Sequence, residues 1–275
     1  MRVQVLGLCR FSLLSTNSFQ TTGFDLTENR RILYDPARMD LRMRWFENLC
    51  LPPLLWQSDP DFTLILATGE DLPQPWLGRL QELAAAVPQI RLEQVAPGPH
   101  GKVCSELLAK HTEPGADIVA QFRIDDDDTV ASDYVDTVRR DYHRFGPGLG
   151  RDAVFAVDYA RGLTLTQQGD QHELRCELAR LWGCGLTMYF PNDRPRSIMN
   201  YRHDWLWRLA DVISIQNRIM WVRGVHGTND SPRDKYRPVL VDMPQDRIDA
   251  ALGKRFGLDR RLLTDLLAGK GPCPE

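Results

Sequence analysis

The sequence predicts an α/β fold built on one mixed sheet, parallel in its N-terminal half and antiparallel in its C-terminal half. Up to residue 145, short apolar runs alternate with amphipathic stretches of helical period, the pattern of parallel strands covered by helices on both faces. After the glycine-rich stretch at 146–150, GPGLG, read as a loop inside one domain, the pattern changes to β-like runs with little helix between them, which predicts antiparallel extension of the sheet. A third observation concerns what the sheet carries: residues 117–128, DIVAQFRIDDDD, read as an apolar strand that ends in four consecutive carboxylates.

Taken in order, VQVLGL near the N-terminus is a first strand, and residues 38–57 are helical with a break at Pro52 and Pro53, where the backbone donor is missing. FTLILAT is a second strand and PWLGRLQELAAAV an amphipathic helix; IRLEQV is a third strand, followed by a helix over 102–111. IVAQFRI is the fourth strand, and ASDYVDTVRR after the acids reads as a helix with Ser or Asp at its start. The C-terminal half offers AVFAVDYA, LTLTQQ, HELRCEL and LTMYFP as strands, SIMNYRHDWLWRLAD as a helix and IMWVRGV as a further strand. From Pro244 onward come two short amphipathic helices and a polar, frayed end. The expected organisation is one catalytic domain over residues 1–243, divided into halves 1–145 and 146–243, with a helical extension over 244–275.

Composition narrows the function classes. A chain of 275 residues with 43% hydrophobic content can bury a substantial core. A net charge of -3 supplies no basic field to gather nucleic acid, so any phosphate chemistry must be local. The N-terminal apolar run is broken by Gln4 and Arg10 and lacks a cleavage signature, which favours a strand over a signal peptide. No stretch is long and apolar enough for a transmembrane helix, although peripheral membrane association stays open. The six cysteines form no CxxC pair, so reduced thiols and a cytoplasmic location are expected.

The acids carry the functional signal. Four adjacent carboxylates repel one another, and in a folded segment some must be protonated, solvated or neutralised by a cation. Carboxylate oxygens suit Mg²⁺ or Mn²⁺, and an open coordination position would accept a substrate phosphate. In an extended segment Asp125 and Asp127 face one side and Asp126 and Asp128 the other, so one pair can serve a ligand. In a parallel sheet, ligands collect at the carboxyl ends of strands, where this cluster lies. The plainer alternative is a solvated acidic turn before the next helix.

These residues resemble a known class. The stretch PHGKVCSELLAKHTEPGADIVAQFRIDDDDTVASDYV is similar to the GT-A glycosyltransferases, whose fold is Rossmann-like and whose DxD motif holds a metal and the diphosphate of a nucleotide sugar. RFS near the start, RWFENLCLPPLLWQSDPDFTLILATGEDLP, RIDDDD and the late HGTNDS resemble the putative rhamnosyltransferase family over most of residues 1–230. The resemblance implies a hexosyltransferase, inverting in stereochemistry, that moves a sugar such as rhamnose from a nucleotide-diphosphate donor, with Mn²⁺ or Mg²⁺ as cofactor. The acceptor would be a glycan, a lipid-linked molecule or another hydroxyl compound.

Carried over residue by residue, Asp125 lies near the nucleotide ribose, Asp127 ligates the metal and Asp128 adds a ligand or orients one. A register shifted by one would put Asp126 in place of Asp127. His226 in RGVHGTNDS would complete the metal site, with Asn229 and Ser231 closing the loop; the alternative is a loop histidine bonded to backbone. Asp204 in YRHDWLWRLAD matches the general base, although His203 stands where relatives carry Glu; Asp158 and Glu173 are alternatives. Lys102, at a helix start, together with Arg10 and Arg123 would meet the nucleotide and its phosphates. Trp182, Trp205 and Trp207 are candidates for stacking on a sugar or for the core. Two other readings compete: a noncatalytic sugar-nucleotide or carbohydrate-binding domain, and another metal-dependent phosphotransfer enzyme.

Overall fold

The computed structural model describes residues 1–16, 25–150, 152–169, 171–194, 196–229 and 238–270. The parallel half runs β1 (Val3–Arg10), α1 (Leu26–Leu33), α2 (Pro36–Trp45), α3 (Leu51–Leu55), β2 (Thr63–Gly69), α4 (Trp76–Ala86), β3 (Ile90–Val95), α5 (His100–Lys110) and β4 (Ile118–Asp125). There follow β5 (Asp128–Val130), α6 (Tyr134–Leu149), β6 (Phe155–Gln168), β7 (Gln171–Leu178), β8 (Leu186–Pro191), β9 (Asp211–Val225), β10 (Val239–Leu240), α7 (Gln245–Phe256) and α8 (Arg260–Leu267).

The main path of the sheet is β10-β7-β6-β8-β4-β1-β2-β3, with β9 joining β6 to β5. β4, β1, β2 and β3 are mutually parallel, whereas β8, β6, β7 and β10 are paired antiparallel. One parallel pair, β6 with β9, interrupts the antiparallel half. The expected fold class is therefore the observed one. Continuous apolar runs make β1 and β4 central because both faces are covered. One core contains Trp45, Phe46, Phe122 and Trp221; the other contains Leu6, Leu8, Cys104, Leu107 and Met188.

Local chemistry sets the boundaries. Asp25 accepts from Glu28 N at 2.8 Å to cap α1, a helix the sequence reading passed over. Asp35 caps α2, and Pro36 fills the first helical position. The break expected at Pro52 and Pro53 comes earlier, as a π-helical turn over Phe46–Cys50, and the prolines sit in the first turn of α3.

Four expectations need correction. The glycine-rich stretch is no loop: α6 continues through Pro147 to Leu149 and stops at Gly150, whose φ of 104° suits glycine. AVFAVDYA and LTLTQQ form one strand, β6, and IMWVRGV is only the end of the long β9. SIMNYRHDWLWRLAD is not an α-helix but two 3₁₀ turns, Ile198–Asn200 and His203–Arg208. The C-terminal helices pack through Leu252, Phe256, Leu263 and Leu267 into the first core, and Arg255 pairs with Asp133 at 2.6 Å. The five described cysteines are free and buried. Among the described residues no helix is long and apolar enough to cross a membrane.

Candidate active site at the carboxyl edge of the parallel strands

Register alone brings the first two groups together. β1 and β4 are parallel neighbours with Arg10 opposite Asp125, so the last residues of both strands meet at the carboxyl edge. The Arg10 guanidinium pairs with Asp125, and its Nη1 lies 2.9 Å from His100 Nε2. His100 opens α5, whose start has no side-chain cap, so that first-turn amides and the helix dipole add positive potential. Burial, reinforced by Arg10 and Arg123, lowers the His100 pKa to about 4. Its neutral ring can then accept from Arg10. Burial pushes Asp125 upward, but the Arg10 guanidinium holds its carboxyl below the usual range. The Asp125 side chain is 43% exposed, open to a ligand where its three neighbours are buried.

The next two acids turn inward. Arg42, from α2, donates from Nε to Asp126 Oδ2 at 3.0 Å and pairs with the same carboxylate through Nη2. Its Nη1 donates to Asp127 Oδ2 at 2.8 Å, so one buried guanidinium serves two buried carboxylates. Asp127 Oδ2 also accepts from Asn229 Nδ2 at 2.8 Å and faces His226 Nε2 at 3.0 Å. Burial opposes its ionisation, but Arg42 and then His226 hold Asp127 well below the carboxylate range. The strict alternation expected of these acids is not kept: β4 ends at Asp125, and in the turn that follows Asp126, fully buried, shares Arg42 with Asp127.

Asp128 follows a different course. It begins β5, accepts from Gly224 N at 3.2 Å, and is pushed well above the carboxylate range by burial and by the charge on Asp127. It does not join the Asp127 and His226 pair. The Gly224 amide also donates to Asp127 O at 2.9 Å, an approach so close that a Cβ would run into that carbonyl and into Trp45. Trp45 packs on His226 with ring centres 4.9 Å apart.

A divalent ion is the group that the acid motif implies. Among the described residues no group of three or more His, Cys, Asp or Glu is arranged to hold one. Two residues nevertheless fit as a partial ligand set. His226 Nε2 is buried, near Asp127 Oδ2 but off the line of a hydrogen bond, while Nδ1 meets Thr228 Oγ1 at 3.0 Å. A carboxylate oxygen beside an imidazole nitrogen suits Mn²⁺, but Asp127 Oδ2 already accepts from Arg42 and Asn229, so an ion would have to share or displace those donors.

The remaining candidates do not join the Asp127 and His226 pair, and of them Arg123 alone acts on His100 at the edge. Lys102 Nζ sits 3.8 Å from Glu106 on an exposed face of α5, and His100, two residues earlier, makes the contact with Arg10 instead. Arg123 reaches the loop before β8: its Nη2 lies 3.8 Å from where a Cβ on Gly183 would be, and His203 Cδ2 lies 4.0 Å from the same point. Asp204 is held by Arg202 at 2.8 Å, and that hydrogen bond lowers its pKa. Asp158 is buried, raised by desolvation, and accepts from Ser214 Oγ at 2.9 Å; Glu173 pairs with Arg175 at 2.7 Å in solvent. Trp182 is core, edge-on to Trp221, with Arg223 over its ring at 4.4 Å. Ser231 lies outside the described residues. Sequence reasoning missed Arg42 and His100. A hint existed for the first: Arg38 and Arg42 stand four apart beside Met39 and Met43, and all four are buried.

Comparisons with known proteins bear on this arrangement. Residues 4–238 match the family described as "Putative rhamnosyl transferase". Among solved structures, S. aureus TarS 1-349 is similar at 12% identity and a TM-score of 0.43, over 82% of this chain and 60% of that one. The chain therefore spans less than two thirds of that relative. TarS 1-349 in complex with UDP-GlcNAc matches at 12% identity and a TM-score of 0.46, over 98% of this chain and 71% of the other. A manganese complex of Rv0371C from Mycobacterium tuberculosis matches at 11% identity and a TM-score of 0.34, over 80% and 91%. A search of curated proteins by sequence found no match. Because the family match runs through most of the chain, both halves of the sheet and the acid cluster included, the protein belongs to the putative rhamnosyl transferase family.

Proposed function

We propose that the protein transfers a glycosyl group, rhamnose being the sugar its family name suggests, from a nucleotide-diphosphate donor to a hydroxyl acceptor with inversion. The observation that carries this reading is the convergence of Arg10, His100 and Asp125 where β1, β4 and α5 meet, beside the buried Asp127 and His226 pair. A diphosphate concentrates negative charge. Arg10, Arg123 and the uncapped start of α5 supply positive potential before the reaction begins, so the leaving group is stabilised without reorganisation.

Asp125, ionised and partly open, is an acceptor for ribose hydroxyls. Asp127 and His226 are the residues that would hold a divalent ion, which when bound supplies charge to the departing diphosphate. Asp204, kept ionised by Arg202, takes the proton of the acceptor hydroxyl as it attacks the anomeric carbon.

Calorimetry with UDP, dTDP and GDP, with and without Mn²⁺, followed by turnover of the matching nucleotide sugars, tests this. One nucleotide should bind, and Asp127→Asn should lower turnover by about a hundredfold or more and remove the Mn²⁺-dependent part of binding. Normal transfer by Asp127→Asn would move the donor site elsewhere. Absence of nucleotide binding under both conditions would overturn the reading.

A further inference from the structure

Large aromatic side chains in this protein are mostly core residues, yet Trp205 and Trp207 are 48% and 61% exposed. They belong to the 3₁₀ turn His203–Arg208, in which Leu206, lying between them, is fully buried. Leu206 anchors the turn, so both indoles face outward. The turn is also tied down by polar contacts: His203 Nδ1 lies 2.6 Å from Leu181 O, and Leu209 N donates to Leu206 O at 2.8 Å. The exposure is thus built into an ordered segment.

The groups around the indoles are planar and charged. The Arg208 guanidinium lies 4.3 Å from the ring centre of Trp205 and 4.8 Å from that of Trp207. Arg202 lies 5.7 Å from Trp205 and also donates to Asp204. Arg208 thus lies over both indoles and Arg202 over Trp205 as well, so the apolar surface left to a ligand is larger on Trp207, with the Asp204 carboxylate on the same turn. A pyranose ring has the matching chemistry, with a C–H face that packs on an aromatic ring and a rim of hydroxyls that bond to carboxylate and guanidinium. A bilayer matches less well. Asp204 and Asp211 interrupt the arginines of this stretch, which weakens attraction for an anionic headgroup layer. The turn also begins beside the donor edge, since Gly183 lies between Arg123 and His203.

We infer that this turn is the acceptor subsite and that the acceptor is a glycan whose pyranose ring stacks on Trp205 or Trp207 next to Asp204. The inference rests on the glycosyl-transfer reading and names the substrate class of its second half. A glycan array finds binders, and fluorescence titration with a bound oligosaccharide then compares the intact protein with Trp205→Ala and Trp207→Ala. Trp56→Ala, at another exposed tryptophan (57%), is the control.

At least one of the two substitutions in the turn should weaken oligosaccharide binding about tenfold, the worth of one aromatic stacking contact, while calorimetry gives an unchanged nucleotide Kd. The control should bind the oligosaccharide as the intact protein does. Three results would overturn the subsite: no glycan bound by the intact protein, glycan binding that survives both substitutions, or tryptophan-dependent binding to phosphatidylcholine–phosphatidylglycerol vesicles in place of glycans. Failure of the donor reading would show separately, as loss of nucleotide binding in the intact protein.

Discussion

The proposed donor edge and the proposed acceptor turn handle charge in opposite ways. At the donor edge, Asp126 and Asp127 are enclosed with Arg42, and the backbone that presents them consists of parallel strands and a helix start. At the acceptor turn, Asp204 is held by an exposed arginine on a short 3₁₀ segment flanked by exposed indoles. Enclosure makes the first region rigid and expensive to disturb; exposure makes the second cheap to alter. A fold can then keep one donor chemistry while its acceptor surface diversifies.

Arg42→Ala should break this contrast most severely. It strands two carboxylates in the interior, and removing one partner of a buried ion pair costs about 3–5 kcal/mol. Urea denaturation should show a loss of that size, with activity falling in parallel. Arg42→Lys should fall between, because an ammonium keeps the charge but lacks the fork that reaches both acids. Stability unchanged in Arg42→Ala would mean that the acids are neutralised by other groups.

Asp204→Asn should show the opposite signature. Turnover should fall by about a hundredfold, the lower end for losing a general base. The urea midpoint should stay where it is, because an exposed pair with Arg202 contributes little. Equal losses of rate and stability would place Asp204 in the framework, and an unchanged rate would move the base to another acid, Asp158 first.

The same contrast explains what could be read in the sequence. Strands buried on both faces are continuous apolar runs, so β1, β2 and β4 declare themselves, and an acid run at the end of β4 points to a ligand. Arg42 and His100 reach their partners across 84 and 90 residues, and no local pattern marks such pairs. The turn at Trp205 misled for another reason: its string of Trp, Leu, Trp and Leu has the density of a helix core. In the structure Leu206 goes in while its neighbours go out, a tertiary choice that composition does not encode.

The smallest expected effect sharpens the comparison at the rim of the donor edge. His100 is half enclosed among Arg10, Arg123, Asp125 and Cys104, and its pKa falls from 6.5 to about 4. Above pH 6.5 the imidazole is neutral in the folded and unfolded chains, and it adds no pH dependence to stability. As pH drops from 6.5 toward 4, the unfolded chain takes up a proton that the folded chain refuses, so folding stability decreases through this window. Asp128 and Asp158, raised by burial, act in the opposite direction as pH falls, while Asp125 and Asp127, held low, lose their stabilisation only below their ordinary range. The informative quantity is therefore the difference between the intact protein and His100→Gln, followed by urea denaturation across pH. That difference should be flat above pH 6.5, shift against the intact protein down to about pH 4, and flatten again. Parallel curves would show that the guanidinium cluster does not hold this ring neutral, and that the rim of the donor edge is as open to solvent as the acceptor turn.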